Sequence, residues 1–358
     1  MSLYACFVLV VAVGSILITG ALVYVHNTFP HRNSFREESR TAYTFNGNEE
    51  MSVDFTASRM TGALPTLKPF LYLTQTEECL PSNLASSIGY NETCNCDVIV
   101  LSYQTECTER RPSHVTYMFD PRSTWGSGRN MLYFTALGRS PGYHYYIFID
   151  DDATLTFNDF TPPEMKKVQQ PFRAVEEWLL DYEPAVGVLD YTVHHGARWT
   201  FERKQLLCDN KEFSLVLPTV CFDAIFHAFH YKAIGHILPY ETSYDEQSWW
   251  ASELHIMSVL ELKFRGQALL FVPVTVENPK HRDYPRSIEH FDAKWRTFIE
   301  QIQQEAPTVY KNQAIFKQFK EGLMLYTLNS STYCMKVTRH LPIMPYAHFR
   351  RDETSQVK

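Results

Sequence analysis

Three consecutive carboxylates, Asp150, Asp151 and Asp152, stand directly behind an aromatic and isoleucine-rich run in YHYYIFIDDDATL (143–155). Like charges at that spacing raise one another's pKa and cost stability unless something positive compensates them. A plain reading is a polar turn, or a helix N-cap with acids set against the helix dipole. A chemical reading is a divalent cation site. Hard cations such as Mg²⁺ and Mn²⁺ take oxygen ligands, and they often combine one or two carboxylates with the phosphates of a substrate. A bound dication would also remove the repulsion.

Other residues with chemical capacity are spread along the chain in a definite order. GSGRN (126–130) opens a helical stretch upstream of the triplet and brings Arg129 and Asn130 towards the same place; a guanidinium suits phosphate or carboxylate. YDEQSWW (244–250) sets Asp245 and Glu246 where a helix should start, and ordinary dipole compensation would explain them equally well. Trp249 and Trp250 follow, with ring faces that suit a sugar as readily as a core. NPKHRDYP (278–285) puts His281 beside Arg282 after a β-rich segment. The pairs His194 with His195 and His227 with His230 match no zinc spacing, and they read as structural histidines.

The elements that must position these groups can be read from periodicity. Strand-like runs occur at 68–74, 97–103, 114–119 and 145–149, the last nearly all apolar, as a strand covered on both faces should be. Within 129–137, Leu132, Tyr133, Ala136 and Leu137 share one helical face. A helix is expected at 171–183, a strand at 185–191 and a strand followed by a turn or short helix at 219–234. A helix should begin within 243–264 and close at Gly266, before a β segment at 268–279. Two amphipathic helices are expected near 287–304 and 309–325. Strands alternating with helices predict an α/β fold with an open, mainly parallel sheet flanked by helices. In such sheets ligands bind beyond the carboxyl ends of the strands, where the aspartates fall.

The chain has 358 residues and a formal net charge of −7, which gives no basic footprint for nucleic acid. Residues 4–25 carry no charge and are long enough to cross a bilayer, after a short tail at 1–3. A signal anchor is the reading adopted over a cleaved signal peptide, because the apolar run continues past Thr19-Gly20-Ala21. Residues 26–67 are polar and patternless, a stem. Arg32, Arg36 and Arg40 after the span favour a cytosolic domain by the positive-inside rule. The sequons at Asn91 and Asn329 point the other way, as do Cys79, Cys94, Cys96, Cys107, Cys208, Cys221 and Cys334, which lack zinc spacing and suggest disulfides with one thiol left over. A lumenal domain is therefore expected.

From Lys68 to Tyr284 the order of strand, strand, GSGRN, ALGRSPGYHYYIFIDDD, acid at a helix start and late histidine resembles the GT-A fold glycosyltransferases, the nucleotide-sugar-dependent class with a DxD motif. The likeness is to the broad inverting group, and the layout of short tail, anchor and stem is similar to that of type II Golgi enzymes. It implies a Rossmann-type catalytic domain at 68–350, with a nucleotide-binding half at 68–155, an acceptor half at 156–284, C-terminal helices at 285–350 and a tail at 351–358. It also implies that Asp150 and Asp152 with His281 hold Mn²⁺ or Mg²⁺. Thr74, Ser102, Arg129, Asn130, Asp150, Asp151 and Arg282 would then serve the UDP- or GDP-sugar donor. Asp245 or Glu246 would be the general base, and Trp249 and Trp250 would lie towards the acceptor, a hydroxyl of a glycan, glycoprotein or glycolipid. The enzyme class implied is a hexosyltransferase of the Golgi or ER membrane. A catalytically silent relative that binds sugars or partners, and a secreted metal-dependent hydrolase, are the alternatives.

Overall fold

The computed structural model describes residues 68–348 apart from 90–93, 95, 110–111, 141, 192–195, 210–211, 280–287, 289–290 and 322–329. The expected anchor and stem, Asn91, Asn329, His194, His195, His281 and Arg282 lie outside the described residues. Among the described residues no helix is long and apolar enough to cross a membrane. All of them belong to one compact unit, Ala63–Lys358.

The first strand, β1 (Lys68–Thr76), alternates its faces: Leu71 and Leu73 enter one core cluster while Phe70 and Tyr72 enter another on the opposite side. β2 (Cys96–Ser102) and β3 (Val115–Phe119) extend the sheet in parallel on one flank of β1, with α1 (Ser82–Ile88) between β1 and β2 in sequence. On the other flank lies β4 (Tyr143–Ile149), parallel to β1 and reached through α2 (Trp125–Leu137). Then come β5 (Thr154–Phe157), α3 (Pro163–Val168), α4 (Pro171–Tyr182), β6 (Val186–Asp190), α5 (Ala197–Leu207), β7 (Val216–Pro218), β8 (Phe226–His230), α6 (Tyr231–Ile237), α7 (Trp250–Lys263), β9 (Ala268–Glu277), α8 (Phe291–Glu305) and α9 (Ala314–Glu321).

The strand order is β3-β2-β1-β4-β8-β6-β9-β5, with β7 also paired to β9. The sheet is mixed rather than mainly parallel: β8 runs antiparallel to both β4 and β6, and β5 and β7 run antiparallel to β9. Because β8 reverses direction twice over, β4 and β6 point the same way and their carboxyl ends share one edge. That edge receives the aspartate triplet. α7 begins at Trp250, later than the acids suggested; Asp245 and Glu246 sit in the turns before it. Cys334 pairs with Cys208, Cys79 with Cys107 and Cys94 with Cys96, while buried Cys221 is outside the disulfides.

Candidate functional site

The triplet is a turn, closed by the Ala153 N–H donating to the Asp150 carbonyl at 3.1 Å, and it links β4 to β5. The turn faces a cleft of about 430 Å³ at the carboxyl edge of the sheet. Asp150, Asp151 and Asp152 all line it, with Gln75 and Glu77 from the end of β1, Tyr103 after β2, Thr124 and Trp125 at the start of α2, and Asp245, Trp249 and Glu253 from the approach to α7 and its first turn.

Arg129 is brought here by α2. Thr124 caps that helix, its hydroxyl accepting from the Ser127 N–H at 3.2 Å while the Ser127 hydroxyl accepts from the Thr124 N–H at 2.8 Å. The buried guanidinium donates to Asp150 Oδ1 at 2.7 Å and lies 4.2 Å from the centre of the Trp125 ring, a cation–π distance. Burial lifts the Asp150 carboxyl to about 7 against the pull of Arg129, and Asp223, Asp152 and Asp151 add to the lift.

Asp245 reaches the other end of the same helix turn. Its Oδ2 accepts from the Ser127 N–H at 2.9 Å and from the Thr124 hydroxyl, so an acid from before α7 caps α2. Gly126 makes room for this approach, since a Cβ there would stand 2.5 Å from Asp245 Oδ1; Gly128 makes room for Gln75 instead, whose Nε2 would lie 2.0 Å from a Cβ. Burial raises the Asp245 carboxyl, offset by its bonds from Thr124 and Ser127.

The expected site residues divide. Asp150, Asp151, Asp152, Arg129, Asp245 and Trp249 line one cleft. Asn130 and Glu246 do not: both ends of the Asn130 amide are spent on the backbone of Tyr240, at 2.9 and 2.7 Å, and Glu246 is exposed. Trp250 packs against Phe291 and the core. Thr74 is buried and outside the cleft lining, and Ser102 donates its hydroxyl to the Met118 carbonyl at 3.0 Å. His227 is a core residue whose ring nitrogen meets the Tyr240 hydroxyl at 3.3 Å; burial holds it well below the usual histidine range.

Two acids escaped the sequence reading. Asp223 lines the cleft next to the triplet, and Glu253 enters it from the buried face of α7 with Oε1 unpartnered. Burial, then the charge of Asp223, pushes Glu253 well above the usual carboxylate range. The signal available was a single acid inside an apolar helical run, WWASELHIM. In all, the described lining carries seven carboxylates (Glu77, Asp150, Asp151, Asp152, Asp223, Asp245, Glu253) against one guanidinium. As the cleft stands, no three His, Cys, Asp or Glu side chains among the described residues converge on one ion position.

The sequence matches no family model, and no curated protein matches it. Solved structures similar to it include residues 1–349 of S. aureus TarS, 12% identical over 75% of this chain and 75% of that one, with a TM-score of 0.39. The same TarS fragment in complex with UDP is 9% identical over 75% and 72%, also with a TM-score of 0.39. A further TarS structure is 9% identical over 69% of this chain and 42% of that one, with a TM-score of 0.40. A likeness this distant carries no weight for function.

Proposed function

We propose that this chain is a metal-dependent glycosyltransferase of the hexosyltransferase type, moving a sugar from a nucleoside diphosphate to a hydroxyl of a glycan, glycoprotein or glycolipid. The observation that carries the reading is the charge of the cleft: among the described residues seven carboxylates line it with one guanidinium, at the carboxyl edge of the sheet. Such a surplus is costly unless a cation belongs there. Among the described residues the donor set is all oxygen, which fits Mg²⁺ or Mn²⁺ and not a soft metal. Asp150 and Asp152 would hold the ion, and because no third protein donor among the described residues converges with them, oxygens of a diphosphate ligand would complete its shell. Bound there, the cation supplies Lewis-acid stabilisation of a leaving diphosphate.

The chain's own residues supply the rest. Arg129, fixed between Asp150 and Trp125, adds a preorganised positive group at the cleft floor. Asp245 lines the cleft while Glu246 does not, so of the expected pair Asp245 would be the one to take the proton of an acceptor hydroxyl, on the oxygen that does not cap α2. Glu253 is a second carboxyl within the same cleft. Transfer inverts the anomeric centre if no covalent intermediate forms. The Trp249 ring, lining the cleft beside these acids, offers a face for a sugar. The disulfides suit an oxidising compartment, in keeping with a lumenal domain held to the Golgi or ER membrane by residues 4–25.

The test is release of nucleoside diphosphate from a panel of UDP- and GDP-sugars, with and without Mn²⁺, by the wild type and by Asp152→Asn. Metal-dependent release that vanishes in the variant supports the reading. A folded protein that neither binds nor cleaves any donor would pass the lead to a silent sugar- or partner-binding scaffold.

A further inference from the structure

A second concavity, of about 800 Å³, opens beside α5, within the size range of small-molecule sites. Its lining is aromatic: Phe160 and Phe213 stack with ring centres 5.4 Å apart, and Phe201 meets Phe213 edge-on at 5.6 Å. Phe160 is 49% and Phe213 42% exposed, an unfavourable way to keep two phenyl rings unless something covers them. Along the rim, Arg198, Glu202 and Gln205 lie on one side of α5, the Arg198 guanidinium donating to Glu202 at 3.1 Å and keeping its remaining N–H groups for a ligand.

The groove is held in shape by one buried carboxylate. Asp190, at the end of β6, accepts from the Ala197 N–H at 2.6 Å, from the Thr275 hydroxyl at 3.0 Å and from the Asn158 amide at 3.3 Å. It thereby ties α5, β9 and the turn after β5 together. Asn158 in turn accepts from the Phe160 N–H at 3.0 Å, which sets the base of that ring. The Phe160 ring is thus anchored by internal bonds, Phe213 packs against it, and Phe201 packs against Phe213 in turn.

We propose that this groove is a carbohydrate-binding subsite that receives the glycan portion of the acceptor. Apolar ring faces flanked by both donors and acceptors match a polyol that alternates C–H faces with hydroxyls. A lipid chain would gain nothing from the guanidinium, carboxylate and amide of the rim. The groove and the cleft share no lining residue, but one chain segment runs from the first towards the second. Asp190 ends β6 at the same sheet edge where Asp150 follows β4, and the next residue, Tyr191, donates to Asn278 at 3.1 Å, a cleft-lining side chain. A glycan held here would therefore lie on the acid-lined side of the molecule. The inference rests on the transferase reading for its biological use but not for its test.

The experiment uses the full chain in a detergent without sugar headgroups, applied to a glycan array and then titrated with the best-bound free oligosaccharide by calorimetry. Phe160→Ala and Phe213→Ala are each expected to weaken binding at least tenfold with unchanged melting temperature, and Asp152→Asn to leave it unchanged. UDP with Mn²⁺ should show the reverse pattern, weakened by Asp152→Asn and not by Phe213→Ala. The proposal is overturned if no glycan binds above the Phe213→Ala background, if Asp152→Asn abolishes glycan binding, or if a fatty acid binds the groove in place of glycans. Failure of UDP to bind while glycans still bind would count against the transferase reading alone.

Discussion

Asp150 Oδ1 lies 2.7 Å from the guanidinium of Arg129, and the two partners are unequally sheltered: the arginine side chain is 4% exposed and the aspartate 29%. Removing the arginine therefore leaves a desolvated carboxylate, already lifted to about 7, without its compensating charge. Arg129→Gln is expected to destabilise the fold by roughly 3 kcal/mol. Asp152→Asn, in the half-buried turn, should stay within about 0.5 kcal/mol of wild type. Denaturant unfolding of both variants separates the two roles; equal stabilities would show that the pair holds nothing together.

Ligand linkage gives a second prediction. A cation and a diphosphate that bind only the folded cleft should raise its stability in proportion to the logarithm of their concentration. UDP with Mn²⁺ at roughly a hundredfold excess over its dissociation constant is expected to add about 2.7 kcal/mol. Neither alone should do so, since the acids repel bare UDP and the ion lacks a third protein donor among the described residues. Thermal shift assays on wild type and Asp152→Asn decide it, with stabilisation by UDP alone as the contrary result.

Glu253 pits stability against function. Its carboxyl is desolvated and faces Asp223, which pushes it well above the usual range, so ionisation near neutral pH works against the fold. Glu253→Gln should raise stability at about pH 8 by about 1–2 kcal/mol. If the carboxyl serves the reaction, donor turnover should fall in the same variant while UDP and Mn²⁺ still bind. A variant no more stable than wild type would mean that Glu253 is already neutralised by its surroundings.

A group remote from the cleft adds to the pH dependence of folding that the cleft acids also produce. Glu176 on α4 is buried beneath Tyr72, whose hydroxyl donates to it at 2.7 Å, with Arg173 at 2.5 Å. Burial lifts its pKa from 4.5 to about 7 despite both partners. Between those values the native state holds a proton that the unfolded chain releases, so stability falls as pH rises through this window and levels off above it. The full difference is roughly 3 kcal/mol. Glu176→Gln keeps an acceptor for Tyr72 and should make the decline shallower by that amount; unfolding midpoints from about pH 4.5 to 8 that decline equally in both proteins would exclude Glu176 as a source.

The sequence exposed the parts of the site that are local. β4 and the triplet were legible because an apolar run ending in acids marks a covered strand that emerges at an edge. The antiparallel course of β8 was not, since FHAFH has the same apolar character whichever way the strand runs. Asn130 looked like a ligand group because the backbone of Tyr240, which takes both ends of its amide, is 110 residues away. The pairing of Cys334 was illegible for the same reason, its partner Cys208 being 126 residues distant. Glu253 was concealed by its surroundings: an acid amid apolar helix residues is unremarkable until the fold aims it at a cleft.

The glycines of GSGRN offer the sharpest test of how the site is assembled. Gly126 is not needed for an unusual backbone angle, as it lies within α2; it is needed because the carboxylate of Asp245 occupies the space a methyl would take. Gly126→Ala should push Asp245 off the helix start, removing its bonds from Ser127 and Thr124, at a cost of about 1–2 kcal/mol. Asp245→Ala removes the same bonds by another route. If the clash is the cause, the double variant should be less destabilised than the sum of the two single ones, by about 1 kcal/mol in a double-mutant cycle. Strict additivity would place the strain caused by the added methyl elsewhere, and the coupling of GSGRN to the acid before α7 would then have no energetic basis.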